Sequence, residues 1–106
     1  MGLNMVVLGT ELKFNLSLEP IDGLHMGDYD FECVLFVYTN RKVIIPKSRM
    51  IKVDDDNYIV KLEDEDAIKI GRGSIVAEIT AYIPDADFSD GLRTEKLRLC
   101  TDVMIV

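Results

Sequence analysis

Few side chains in this sequence could do chemistry, and most of them fall in turns. His25 is the only histidine. A single histidine rules out histidine-based metal clusters, and any Ser-His-Asp or Cys-His arrangement would rest on one loop residue. No serine or cysteine stands in a local nucleophile motif, and no G-x-S-x-G is present. Between Gly23 and Gly27, His25 reads as a solvent-exposed loop residue. Asp54-x-Asp56 begins like a calcium loop, but Tyr58 and Ile59 stand where an oxygen ligand and a glycine are needed. Glu65 does fall at the twelfth position, yet Tyr58-Ile59-Val60 is strand sequence, so a hairpin turn is the better reading. Asp85, Asp87 and Asp90 place three carboxylates in one loop, which could hold a hard cation. Such charge runs are more often simply solvated. Phe88 in the same loop is expected to plug the end of the fold. Gly71-Arg72-Gly73 could be a phosphate nest, but without a following helix a helix cap leading into a strand is preferred. No residue is assigned a catalytic, cofactor-binding or metal-ligating role, and no cofactor is expected.

Composition narrows the partners. The 106 residues carry 19 acidic and 12 basic side chains, a formal net charge of −7. That balance disfavours a nucleic-acid backbone, which needs a basic footprint. It equally disfavours an anionic membrane surface. No apolar run approaches the roughly 20 residues of a membrane span. Met1-Gly2 invites a myristoylation reading, but Val6 stands where Ser or Thr is required. An unprocessed protein made in a reducing cytoplasm is expected. Cys33 and Cys100 lie at a spacing close to that of an immunoglobulin bridge. There is no Trp to pack on such a bridge, and position 98 is Arg98 rather than the corner Tyr. Two reduced core thiols are the simpler reading.

The elements that would position these residues are strands. Ile75, Ala77, Ile79, Ala81 and Ile83 alternate with Ser74, Val76, Glu78, Thr80 and Tyr82, a period of two over the longest strand, Ser74 to Ile83. Leu12, Phe14, Leu16 and Leu18 alternate with polar residues until Glu19-Pro20 stops the run. Tyr29 to Thr39 is apolar on both faces, which argues for a central strand or one covered by a partner. Val43 to Ile45 is a short strand ended by Pro46. Met50 to Val53 and Tyr58 to Leu62 form a hairpin over an Asp/Asn turn. Glu63 to Ile70 is the only helical candidate, with acids in its first turn, Lys69 in its last and Gly71 as cap. Arg93 to Leu99 and Asp102 to Val106 close the chain, either as two strands or as one with a bulge near Cys100-Thr101.

Seven or eight short strands at such turn spacings mark a sandwich or barrel. The expected core is Phe14, Leu16, Leu35, Val37, Val60, Ile75, Ile79 and Leu97, within one domain spanning residues 1–106. Residues 1–10 could be a strand or an N-terminal arm. Both termini are apolar, with Leu3, Met5, Val6, Val7 and Leu8 at one end and Val103-Met104-Ile105-Val106 at the other. Either the two ends pair within one sandwich, or one adds a strand to a neighbouring subunit.

The order of markers has a counterpart among known proteins. Gly27-Asp28 precedes an apolar strand and a second short strand. Lys52-Val53-Asp54-Asp55-Asp56-Asn57-Tyr58 follows, then a short acidic helical turn, Gly71-x-Gly73 and a long strand. This layout, over residues 27–105, resembles the N-terminal domain of phage upper baseplate proteins, an immunoglobulin-like antiparallel β-sandwich. It is also similar to small virion proteins of Bacteroides and crAss-like phages. The resemblance implies an attachment or adaptor module of head-fibre or baseplate type, not an enzyme. Its partners would be capsid, fibre or baseplate proteins and further copies of itself, and its location the virion. The baseplate proteins continue into a long helical or fibre-forming region, so the resemblance implies that these 106 residues correspond to the attachment module. A bacterial ligand-binding sandwich, for sugar or calcium, is the alternative.

Overall fold

Alternation of apolar and polar residues becomes two facing sheets. The structure, a computed structural model, describes residues 4–106, so of the expected N-terminal arm Met1 to Leu3 lie outside the described residues. The strands are β1 (Asn4–Val6), β2 (Leu12–Ser17), β3 (Asp30–Phe36), β4 (Val43–Pro46), β5 (Ile51–Asp54), β6 (Asn57–Leu62), β7 (Gly73–Pro84) and β8 (Leu92–Ile105). One helix, α1 (Asp64–Ile70), joins β6 to β7, and single 3-10 turns lie at Met26–Asp28 and Lys47–Arg49. The five-stranded sheet has the order β1-β8-β7-β3-β4, and the three-stranded sheet β2-β6-β5. All pairs are antiparallel except β1 with β8. With β2, β6 and β5 in the places of strands B, E and D, and β8, β7, β3 and β4 in those of G, F, C and C′, this is the strand order of an immunoglobulin-like sandwich.

The core is the pair of inner faces. Ile75, Ala77, Ile79, Ala81 and Ile83 are all buried, as the period of two predicts. Phe31, Cys33 and Leu35 face them from β3, and Tyr58, Val60 and Leu62 from β6. Of the expected core, Leu16, Leu35, Val60, Ile75 and Ile79 are buried, while Phe14, Val37 and Leu97 pack partly buried against it. Lys47 enters this core from its 3-10 turn. Its Nζ donates to the Met26 and Tyr29 carbonyls at 3.0 and 2.7 Å and lies over the rings of Phe31 and Tyr58. The charge is thus met by two carbonyl dipoles and two π faces.

Several details differ from expectation, each for a local reason. The strand expected to reach Thr39 ends at Phe36, because Val37 turns in against the backbone of Gly73. A Cβ at Gly73 would lie 2.5 Å from Val37 Cγ1, and its φ of +134° also favours glycine. The outer apolar face of β3 needs no partner: Lys42 and Arg98 lie 5.5 and 5.7 Å from the Phe36 ring centroid and cover it. Val34 and Phe36 are accordingly buried on that face. The β5–β6 turn uses no left-handed residue. Asp54 Oδ1 instead accepts from the Asp56 amide and the Asn57 side chain, and a register shift between Lys52 and Asp54 absorbs the twist. β8 is one strand broken by an irregularity near Cys100, where Asp102 takes a φ of +57°. Cys100 is therefore exposed rather than a core thiol, while Cys33 is buried and its pKa is pushed up to about 12 by burial.

The apolar ends find each other. Asn4, Met5 and Val6 pair in parallel with Val103, Met104 and Ile105. Leu8 donates its amide to Val106 and Val106 to Val6, at 3.1 and 2.8 Å. Of the two expected arrangements for the termini, this is pairing within one sandwich.

Ile79 lies at the centre of the core with no exposure. Ile79→Ala is expected to cost about 2–5 kcal/mol in denaturant unfolding. Leu97→Ala, at a flank already partly open, should cost clearly less, and equal losses would contradict the placement of the core.

Candidate functional site

The turn and loop carboxylates singled out by sequence, Asp54, Asp56, Asp85, Asp87 and Asp90, are brought to one end of the sandwich, and most are engaged there, while Glu65 lies on α1. Asp85 accepts from the Asp87 amide at 3.0 Å and from Arg93 Nη1 at 2.6 Å. The first of these contacts, with Arg93 adding to it, lowers the Asp85 pKa. Asp90 accepts from the Leu92 amide. Arg93 also reaches Asp22 at 2.6 Å and Glu95 at 3.1 Å, tying the 18–28 segment to β8. Asp85 and Asp90 thus close turns. Among the described residues no group of three or more His, Cys, Asp or Glu is placed to hold a metal ion. Phe88 is 48% exposed and is not the expected plug. Hydrogen bonds between Asp85, Phe88 and Gly91 fold its loop into a tight turn beyond the sheets. Met26, on the segment that Asp22 anchors, is wholly buried instead.

His25 lies at the same end and is exposed, as expected. Its Nδ1 donates to Asp56 Oδ1 at 2.6 Å, so the Asp56 carboxylate raises its pKa, first through the hydrogen bond and then by charge. Asp28 and Asp55 add smaller contributions in the same direction. The Gly27-Asp28 pair has a physical role here. Asp28 accepts from the His25 amide, and a Cβ at Gly27 would lie 2.7 Å from Asp55 Oδ1. Glycine thus lets the β5–β6 turn close onto the 3-10 turn. At the opposite end Gly71 caps α1 with a φ of +84°, and Arg41 donates to the Lys69 and Ile68 carbonyls at 2.9 and 3.2 Å. Gly71-Arg72-Gly73 is a helix cap and strand start.

A broad concavity lies elsewhere, along a flank that no motif marked. A cleft of about 650 Å³ runs between β2 and the β1–β8 edge. Five consecutive residues of β2, Leu12 to Leu16, line it. A face contributes alternate residues, so a consecutive run means that the strand edge itself meets the cleft. Opposite stand Asn4 to Val6, Leu99 and Val103. The cleft exists because cover runs out across the five-stranded sheet. Along one cross-strand row Leu35 is 1%, Ala77 6% and Leu99 37% exposed. Nearer the other end β8 turns Arg93 and Glu95 to the same face, and those charges satisfy each other.

β2 also differs from the other sheet edges. β1 is three residues long among the described residues, β4 ends in Pro46, and β5 is short, bulged and flanked by charge. These are the usual devices that blunt an edge. β2 runs six residues in unbroken register with β6, and Lys13 is its only charge. Among the described residues it pairs with β6 alone. In the four-stranded sheet of an immunoglobulin domain, strand A lies beside B. Among the described residues the corresponding place beside β2 is open, since β1 pairs with β8.

His25 carries a testable pH dependence. Its folded pKa is raised, so the stabilisation from Asp56 is complete below the unfolded value of about 6.5 and is lost as pH rises through the folded value. Melting temperature should fall across that window, and His25→Gln should remove the step; an unchanged profile in the variant would refute the assignment. Calcium is a separate test. At millimolar concentration it should add less than about 1 kcal/mol of stability, since larger effects need binding well below that concentration. A large rise in melting temperature would return the Asp85, Asp87 and Asp90 loop to the list of sites.

Compared with protein-family models, with curated proteins and with solved structures, the chain matches none.

Proposed function

We propose that this chain is a virion structural protein, an attachment or adaptor module of head-fibre or baseplate type that acts through protein–protein contacts and catalyses no reaction. The observation that supports the reading is the open flank: an unblunted strand edge beside an apolar cleft, in a sandwich whose other edges are guarded. Exposed, pairable edges are costly for a protein that works alone. They are useful to one that is assembled with others. The layout of turns and strands that resembles phage baseplate domains is consistent with this. Its partners would be capsid, fibre or baseplate chains and copies of itself, and it would be made in the host cytoplasm and carried in the virion.

A sugar- or calcium-binding role has less to stand on. A sugar platform wants clustered exposed aromatics, and the two large ones, Tyr38 and Phe88, lie at opposite ends of the sheets. Two of the three loop acids that could hold calcium, Asp85 and Asp90, are engaged by Arg93 and backbone amides.

Mass spectrometry of purified phage particles from cells that make this protein tests the reading. The chain should be present in fixed proportion to the major capsid protein through repeated purification. Detection in the lysate but not in particles would end the virion assignment.

A further inference from the structure

We propose that the cleft beside β2 receives one extended strand from a partner protein, with aliphatic side chains facing in and acidic side chains facing out, completing the three-stranded sheet as its fourth strand. The proposal rests on the attachment reading and names the partner's chemistry.

Three features define the occupant. The first is backbone. In an antiparallel edge strand, alternate residues point their N–H and C=O groups away from the sheet, and β2 offers such a row along six residues, roughly 20 Å. An extended segment can pair with that row, whereas a helix or a globular face cannot. The second is the lining. Leu12, Phe14, Leu16, Leu99 and Val103 give the cleft an apolar floor. Thr101 Oγ1 is already bonded to the Ile75 carbonyl. Alternate residues of an inserted strand would point into this floor, so they must be aliphatic.

The third is charge. On the outer face of the same sheet Lys13 stands directly opposite Lys61, and both are exposed. Like charges opposed across a strand pair are destabilising. Neither lysine has an ion-pair partner among the described residues, although Glu11 and Glu63 border the same depression. A carboxylate on the outward side of a new strand would lie beside Lys13 and offset that repulsion. A basic strand would extend a row of like charges.

Geometry excludes the simplest self-association. If two copies joined β2 to β2, each would bring β8 and β1 past its own β2. Those strands would occupy the space of the other copy's β7 and β3, since facing sheets lie roughly 10 Å apart. A single detached strand has no such overhang. The short 7–10 turn, closed by a Thr10 to Val7 hydrogen bond, shuts the cleft at one end, so the strand enters from the other.

The test uses the full-length chain and a free peptide of about eight residues alternating valine with aspartate, long enough to span β2. Amide exchange is followed by NMR as the peptide is raised to millimolar concentration. Alternate β2 amides should slow by roughly tenfold, while a shuffled peptide of the same composition leaves them unchanged. Lys13→Glu, at an exposed position outside the core, should reverse the preference toward a valine–lysine peptide. Equal protection by the shuffled peptide, or no protection of β2 at saturation, would overturn the proposal. Protection that rises with protein concentration in the absence of peptide would overturn it in favour of a second copy. None of these failures would alter the particle result, so the two readings can fail separately.

Discussion

A three-stranded sheet cannot cover the inner face of a five-stranded one. Strands lie roughly 4.8 Å apart, so two missing strands leave about 10 Å of sheet without a facing partner. Everything distinctive about this chain is a response to that shortfall. Below β4 and β5 the gap is filled by chain segments, with α1 contributing Ala67 and Ile70 and the 3-10 turn contributing Met26 to the core. On the β8 side the response is divided along the strand. One half turns Arg93 and Glu95 inward, and Arg93 pairs there with Glu95, Asp22 and Asp85. The other half leaves Leu97 and Leu99 apolar and partly bare.

That division matters energetically. A bare leucine forfeits roughly 25 cal/mol for each Å² left in water, whereas an exposed ion pair is worth little either way. The chain therefore leaves unburied the kind of surface that gains most when covered. It does so beside the strand edge that has the most backbone to offer. An edge and an apolar floor on the same side form a strand receptor, while either feature alone would be ordinary surface.

Much of the scaffold was legible in residue order. The alternation of Ile75 through Ile83 specifies a strand with one wet face whatever its neighbours are. The acidic first turn and Gly71 delimit a helix by local rules. Features set by which strand pairs with which were not legible. Whether Phe36 needs a partner depends on Arg98, which β7 places across the sheet from it. Cys100 has an apolar neighbourhood in sequence, but an irregularity in β8 carries it to the surface. Lys47 carries no marker in residue order, yet its Nζ lies over the rings of Phe31 and Tyr58 from the turn that follows Pro46. The cleft itself has no motif. It is a difference between two strand counts, and only the assignment of β1 to β8 rather than to β2 creates it.

The parallel pairing of β1 with β8 is thus the pivot between a closed and an open sandwich. Three residues pair there, Asn4 to Val6, and they protect the edge formed by Val103 and Ile105. The same segment on the other sheet would have covered Leu12 to Leu16. The chain connecting the two alternatives is short, since only residues 7–11 separate β1 from β2. Gly9, at a φ of +90°, makes that turn possible and directs β1 away from the β2 edge. Among the described residues, a fold that spends its first strand on its last leaves its second with β6 as its one neighbour. The vacancy follows from chain direction at one turn and is independent of the carboxylates, histidine and cysteines from which a chemical function would have to be built.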